Sequence, residues 1–162
     1  MAFISISITK NHPLILGKGG FGRQLADWLS AEGWGEAEFL DDSAPGCVGG
    51  LRDYADPKLL KPGRPAFVAL GDNALRVELL QKLAAAGYDT PVFISDMAAV
   101  SPSAVLEPGC VILPQAYVGA DAHLGVGCII NGGAIVDHDA VLGRGVHVAP
   151  GGIVKAGAEV EA

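Results

Sequence analysis

The sequence predicts two units of different architecture: a small parallel α/β domain over residues 1–97, followed by a triangular β-solenoid over residues 98–162. The first observation is a six-residue period from Ala99 to the C-terminus. Its second place is always a branched aliphatic, from Val100, Leu106 and Ile112 through to Val160, eleven in all. Its sixth place is small in every complete block except at Val146. The second observation lies upstream, where short apolar runs alternate with segments of helical spacing and glycine or proline separates them.

A period of six is neither the 3.6 of a helix nor the alternation of a single strand. It describes short strands joined by turns, three hexapeptides closing one coil of 18 residues. The aliphatic points into the prism and stacks on its equivalent in the next coil. The small residue sits near a corner, where Gly, Asp, Asn and Pro supply the turn. No coil buries its own apolar face, so stability comes from stacking.

Taken in order, residues 1–12 are hard to place, and Phe3 to Ile8 alternates like a strand. Leu14-Ile15-Leu16 is a short apolar run read as the first strand, followed by the glycine loop Gly17-Lys18-Gly19-Gly20-Phe21-Gly22. Arg23 to Leu29 has helical spacing and Gly33 closes it. Glu36 to Leu40 is a second strand ending at Asp41-Asp42, and Pro65 to Gly71 a third. Asp72-Asn73 caps a helix from Ala74 to Ala86, whose Leu75, Leu79, Leu80 and Leu83 form one apolar face. Gly87 stops that helix, and Pro91 to Ile94 is a fourth strand of the parallel sheet. The join near Ser95 to Ala98 has almost no linker, so the two units are expected to pack closely.

The net charge of -7 and pI near 4.9 argue against a nucleic-acid or anionic-membrane partner. No 18-residue apolar run and no signal-peptide pattern occurs, so a soluble, cytoplasmic protein is expected. Cys47, Cys110 and Cys128 are odd in number and form no CxxC, which suggests neither a disulfide scaffold nor a zinc site. Cys110 and Cys128 are one coil apart and read as stacked free thiols filling small places.

Two constellations carry chemistry. A glycine loop between a strand and a helix is where backbone N–H groups and a helix N-terminus hold phosphate; it is also simply a tight turn. Lys18 reads as a phosphate contact or a solvated side chain, and Asp41 and Asp42 as ribose or base contacts or a solvated loop. In the solenoid stand Asn131, Asp137-His138-Asp139 and His147. His138 occupies a turn place between two carboxylates, which suits either a general base or a surface histidine in an acidic turn. His147 and His123 both open a block and lie on a face.

The run Ile129-Ile130-Asn131-Gly132-Gly133-Ala134-Ile135-Val136-Asp137-His138-Asp139, followed by His147-Val148-Ala149-Pro150-Gly151, resembles the signature of bacterial sugar acetyltransferases. These include the sialic-acid O-acetyltransferase type and N-acetyltransferases of nucleotide-linked 4-amino-4,6-dideoxy sugars. LILGKGGFG, FLDD and ALGDNALR follow in the family's order, so the resemblance runs from Pro13 to the end. Phe21 stands where the family usually has histidine.

The resemblance implies a Rossmann-like domain, a left-handed parallel β-helix, and a homotrimer with active sites between neighbouring helices. It implies acetyl-CoA as donor, a nucleotide-linked amino sugar as acceptor, and no metal. His138 would be the base, supported by Asp139. Asn131, Gly132 and His147 would lie near the coenzyme. Gly17, Lys18, Gly19, Gly20, Phe21, Asp41 and Asp42 would hold the nucleotide sugar. The chain ends within a hexapeptide, which reads as a truncation relative to the family. An idle subunit that binds the sugar or pairs with a longer partner is therefore the non-enzymatic alternative. A zinc hydratase on the same solenoid is disfavoured by the spacing of His123, His138 and His147.

Overall fold

The computed structural model describes residues 12–61 and 63–162; the strand expected at Phe3 to Ile8 lies outside the described residues. The first unit contains β1 (Leu14–Leu16), α1 (Gly20–Ala31), β2 (Glu38–Leu40), β3 (Ala66–Val68) and α2 (Asn73–Ala86). The strands pair in parallel in the order β2-β1-β3. All three residues of β1 and of β3 are buried, as a central parallel sheet requires. Asp72 caps α2 by accepting from Leu75 N at 2.8 Å, and Gly87 closes it in the left-handed conformation.

The solenoid follows as two-residue strands. They are β4 (Phe93–Ile94), β5 (Ala99–Val100), β6 (Val105–Leu106), β7 (Val111–Ile112), β8 (Tyr117–Val118) and β9 (His123–Leu124). Next come β10 (Ile129–Ile130), β11 (Ile135–Val136), β12 (Val141–Leu142), β13 (His147–Val148), β14 (Ile153–Val154) and β15 (Glu159–Val160). They stack as three parallel four-stranded sheets, β4-β7-β10-β13, β5-β8-β11-β14 and β6-β9-β12-β15. Every pairing is 18 residues out of step, as in Ile129 with Val111 and His147, so four coils are stacked. The aliphatic places and the small places, Cys110 and Cys128 among them, form one continuous core. Both thiols are free, and each Sγ lies 3.2 Å from a carbonyl of the coil above, Gly125 or Gly143.

One expectation is corrected. Phe93–Ile94 does not extend the α/β sheet; it pairs with Val111–Ile112 and starts the first face of the solenoid. The reason is the neighbouring chain: β7 offers an in-register partner one coil on. α1 also begins earlier than its side-chain spacing suggests, at Gly20 within the glycine loop.

The two units share a core. The outward residues Phe93, Val111 and Ile129 on the first face are at most 1% exposed, packed against Ile15, Leu25, Leu29, Trp34 and Phe67. Trp34 meets Phe67 and Phe93 edge-on at 5.6 and 6.3 Å. α2 lies along a solenoid corner, and its Leu80 touches the space over Gly109 and Gly127. Moving from Gly145 through Gly127 to Gly109 descends two coils, about 10 Å at ~4.8 Å per rung. The seven residues from Asn73 to Leu80 climb about 10 Å at ~1.5 Å each. Helix and corner are therefore commensurate, and the pairing of contacts follows from that match.

Candidate active site

The corners of the prism set the site. At the corner between the second and third faces, Asp121, Asp139 and Gly157 repeat at 18-residue spacing with positive φ. In the middle of that stack, the turn of Asp137, His138 and Asp139 projects outward. Asp139 N donates to Ala120 O in the coil below at 2.9 Å, and Gly157 N in the coil above donates to His138 O at 3.0 Å. His138 N donates to Asp137 Oδ1, closing a local turn.

The His138 ring is exposed, and its Nδ1 lies 2.6 Å from Asp139 Oδ2. A carboxylate only accepts, so Nδ1 carries the proton and Nε2 presents a bare lone pair to solvent. Asp139 through that hydrogen bond, then the charge of Asp137, hold the imidazole above its ordinary value. A ring so oriented and so raised in basicity can take a proton from an attacking nucleophile.

Asn131 and His147 form a second group at the end of the first face. Asn131 Oδ1 accepts from Gly132 N at 2.8 Å, so its amide nitrogen is the atom turned toward His147 Nε2, 3.1 Å away. His147 Nε2 is then the acceptor and Nδ1 the protonated nitrogen. Burial, and next the charge of Arg76, hold His147 below its ordinary value. The Phe21 ring lies 6.3 Å from the His147 ring, which joins the glycine loop to this group. Gly132 contributes its N–H to Asn131 and not to open space.

The other loop residues are engaged within the fold. Asp41 accepts from the backbone of Lys18, Ser43 and Ala44, in that order of effect, and is held down to about 2. Asp42 accepts from Leu51 N. Lys18 Nζ donates to Pro45 O and sits 5.3 Å over the Phe39 ring. Gly17 and Gly22 are steric necessities: a Cβ on Gly22 would fall 2.0 Å from Gly17 O. Gly19 and Gly20 face open space, ahead of the first helical bond from Arg23 N to Gly19 O. The first-turn amides ahead of that bond, from Gly19 to Gly22, have no backbone acceptor within the helix and are the kind of donors that meet an anion at a helix N-terminus.

Within one chain the structure brings Phe21, Asn131 and His147 together, while His138 and Asp139 stand one prism face away. His123 pairs with Glu107 at 3.0 Å on the third face, apart from both groups. Among the described residues no cluster of three His, Cys, Asp or Glu side chains is placed to hold a metal ion, and no helix is long and apolar enough to cross a membrane. Sequence reasoning missed Arg64 and Arg76, both fully or nearly fully buried. Arg76 was hidden on the apolar face of α2, where charge normally argues for solvent.

A parallel α/β domain whose first strand runs into a glycine loop, docked on a hexapeptide solenoid with an outward His–Asp pair, is the architecture of a solenoid acyltransferase with an added N-terminal domain. Residues 14–83 match the family described as the PglD N-terminal domain. The acetyltransferase domain of PglB from Neisseria gonorrhoeae, solved with acetyl coenzyme A, is 30% identical with a TM-score of 0.82, over 95% of this chain and 86% of that one. PerB from Caulobacter crescentus, solved with CoA and GDP-perosamine, is 33% identical with a TM-score of 0.76, over 86% of this chain and 69% of that one. WeeI from Acinetobacter baumannii, at 18% identity and a TM-score of 0.57, shares the fold. The chain belongs to the hexapeptide-repeat, left-handed β-helix family of acetyl-CoA-dependent sugar acetyltransferases.

Proposed function

We propose that this protein transfers an acetyl group from acetyl-CoA to the amine of a nucleotide-linked 4-amino sugar, with His138 as general base. The observation that carries the assignment is the His138–Asp139 pair, which leaves Nε2 bare and outward at a fixed corner. Nε2 takes the N–H proton as the amine attacks the thioester carbonyl. Collapse of the tetrahedral adduct expels the CoA sulfur, which recovers a proton as the amide forms. Asn131 and His147 hold the acetyl-CoA end, and the amides at Gly19 and Gly20 with Lys18 and Phe21 hold the nucleotide. Asp41 and Asp42 shape that loop.

The enzyme works as a cytoplasmic homotrimer with active sites between solenoids. Two features support the trimer. The base stands one face away from Asn131 and His147, so a second chain is needed to bring the two groups onto one reacting carbonyl. Tyr117, Ile135 and Ile153 form an exposed apolar column on the second face, at 44, 38 and 67% exposure. The reading is tested by thiol release from acetyl-CoA against a panel of nucleotide-linked 4-amino sugars, with His138→Ala beside the natural chain. Release with one sugar and its loss in His138→Ala at unchanged oligomeric state is expected. Unchanged turnover in the variant overturns the role of His138, and silence of the natural chain across the panel overturns the reaction.

A further inference from the structure

Arg76 is fully buried on α2 and makes no ion pair among the described residues. A guanidinium withdrawn from water is tolerated only where its donors are met. Nη1 donates to Leu70 O at 2.6 Å, Nη2 to Asn73 Oδ1 at 2.9 Å and to Gly145 O, and Nε to Gly127 O at 2.9 Å. Two of these acceptors are solenoid carbonyls from the same corner in successive coils. Each lies two residues ahead of a first-face strand: Gly127 before Ile129, and Gly145 before His147. Ile129 and His147 are themselves a register pair. The other two acceptors, Leu70 and Asn73, frame the start of α2. The planar fork thus spans the joint between the two domains at the level of His147.

We propose that Arg76 is a positioning residue for the acyl-transfer site: it clamps the corner turn ahead of His147 and so holds that imidazole against Asn131 and the glycine loop. The inference rests on the reading of Asn131 and His147 as the acetyl-CoA contacts. Around His147 stand Asn131 from the same face, the Phe21 ring from α1 and the Arg76 charge from α2, which adds to burial in lowering the imidazole below its ordinary value. A lysine retains the charge but gathers its donors on one nitrogen with no planar fork to span separate acceptors, so Arg76→Lys separates clamp from charge.

The experiment is a double-mutant cycle of Arg76→Lys and His147→Ala, read as KM for acetyl-CoA and KM for the sugar, with imidazole NMR on each protein. Arg76→Lys is expected to raise the acetyl-CoA KM about tenfold while the sugar KM holds, and to add nothing once His147 is gone. Effects that multiply independently, or that move both KM values alike, overturn the proposal, because a general loss of packing does that. The His147 imidazole signal should shift in Arg76→Lys while those of His123 and His138 stay in place; a His147 signal that stays put overturns it too. That spectrum needs no turnover, so it judges the clamp even if the acetyl-transfer reading fails. Should Arg76→Lys not fold, Asn73→Ala removes one Nη2 acceptor and is expected to move the same His147 signal, with an unmoved signal again the refutation.

Discussion

Gly119 allows the proposed role of His138 as base to be tested by steric pressure alone. A Cβ there would lie 2.6 Å from His138 N and 2.9 Å from the Asp137 carbonyl carbon, where ordinary contact begins near 3.4 Å. The His138 turn must then retreat by about 0.8 Å. The obstacle is backbone, tied to its neighbours through Gly119 N to Val136 O and Asp139 N to Ala120 O, so no rotamer change relieves it. Gly119→Ala is expected to cost about 1–3 kcal/mol of stability. At roughly 2–4 °C per kcal/mol for a chain of this size, Tm falls by several degrees. With His138 as the proposed base, its displacement by nearly an ångström is expected to lower kcat by roughly 10- to 100-fold.

Gly125→Ala is the matched control. Its Cβ would meet Arg144 N at 2.9 Å, a comparable clash one corner further on, where no base stands. Urea unfolding should show both variants destabilised, while thiol release at saturating substrates should fall only in Gly119→Ala. A Gly119→Ala enzyme as unstable as Gly125→Ala yet of unchanged kcat would refute His138 as the base.

The remaining predictions concern pH and the domain joint. His138 is raised above 6.5, so below its own pKa it is protonated and cannot act as a base; kcat/KM should climb with pH through a midpoint above 6.5. Asp139→Asn removes the carboxylate that raises it, so the midpoint in the pH–rate profile should move down and the plateau fall. A midpoint that does not move would show that another group titrates. At Gly127, φ is +70° and a Cβ would meet Leu80 Cδ1 at 2.7 Å, whereas Gly133 has φ +67° and nothing within 4 Å. Gly133→Ala should therefore cost only the left-handed strain of about 1–2 kcal/mol. Gly127→Ala should cost about 1–3 kcal/mol more from overpacking against α2. Equal denaturation midpoints would contradict the docking of α2 on this corner.

Legibility in the sequence followed the range over which each feature is decided. His138 and Asp139 are adjacent, so their pairing could be suspected before any fold was known. Asn131 and His147 are sixteen residues apart, and they meet only because coils stack at eighteen, which carries one face over the next. The bonds that occupy Asp41 and Asp42 come from the adjacent Ser43 and Ala44 and from Lys18 and Leu51, which lie farther off in the chain. Their residue types could not show whether they served a ligand or the loop.

The solenoid was determined by sequence alone, because each hexapeptide repeats one decision: aliphatic inward, small or left-handed residue at the corner. Stacking then follows from the period without reference to anything outside it. The capped helix at Asn73–Ala86 is local in the same way, since Asp72 and Gly87 satisfy its ends. Only the tertiary structure decided which prism face is covered. Phe93, Val111 and Ile129 point outward by the same rule as Tyr117 and Ile135, yet are buried because the α/β domain docks on them. It also decided that Phe93–Ile94 joins the solenoid and that Arg76 is buried. Both depend on partners one coil or fifty residues away, and no pattern within a single segment records what will pack against it.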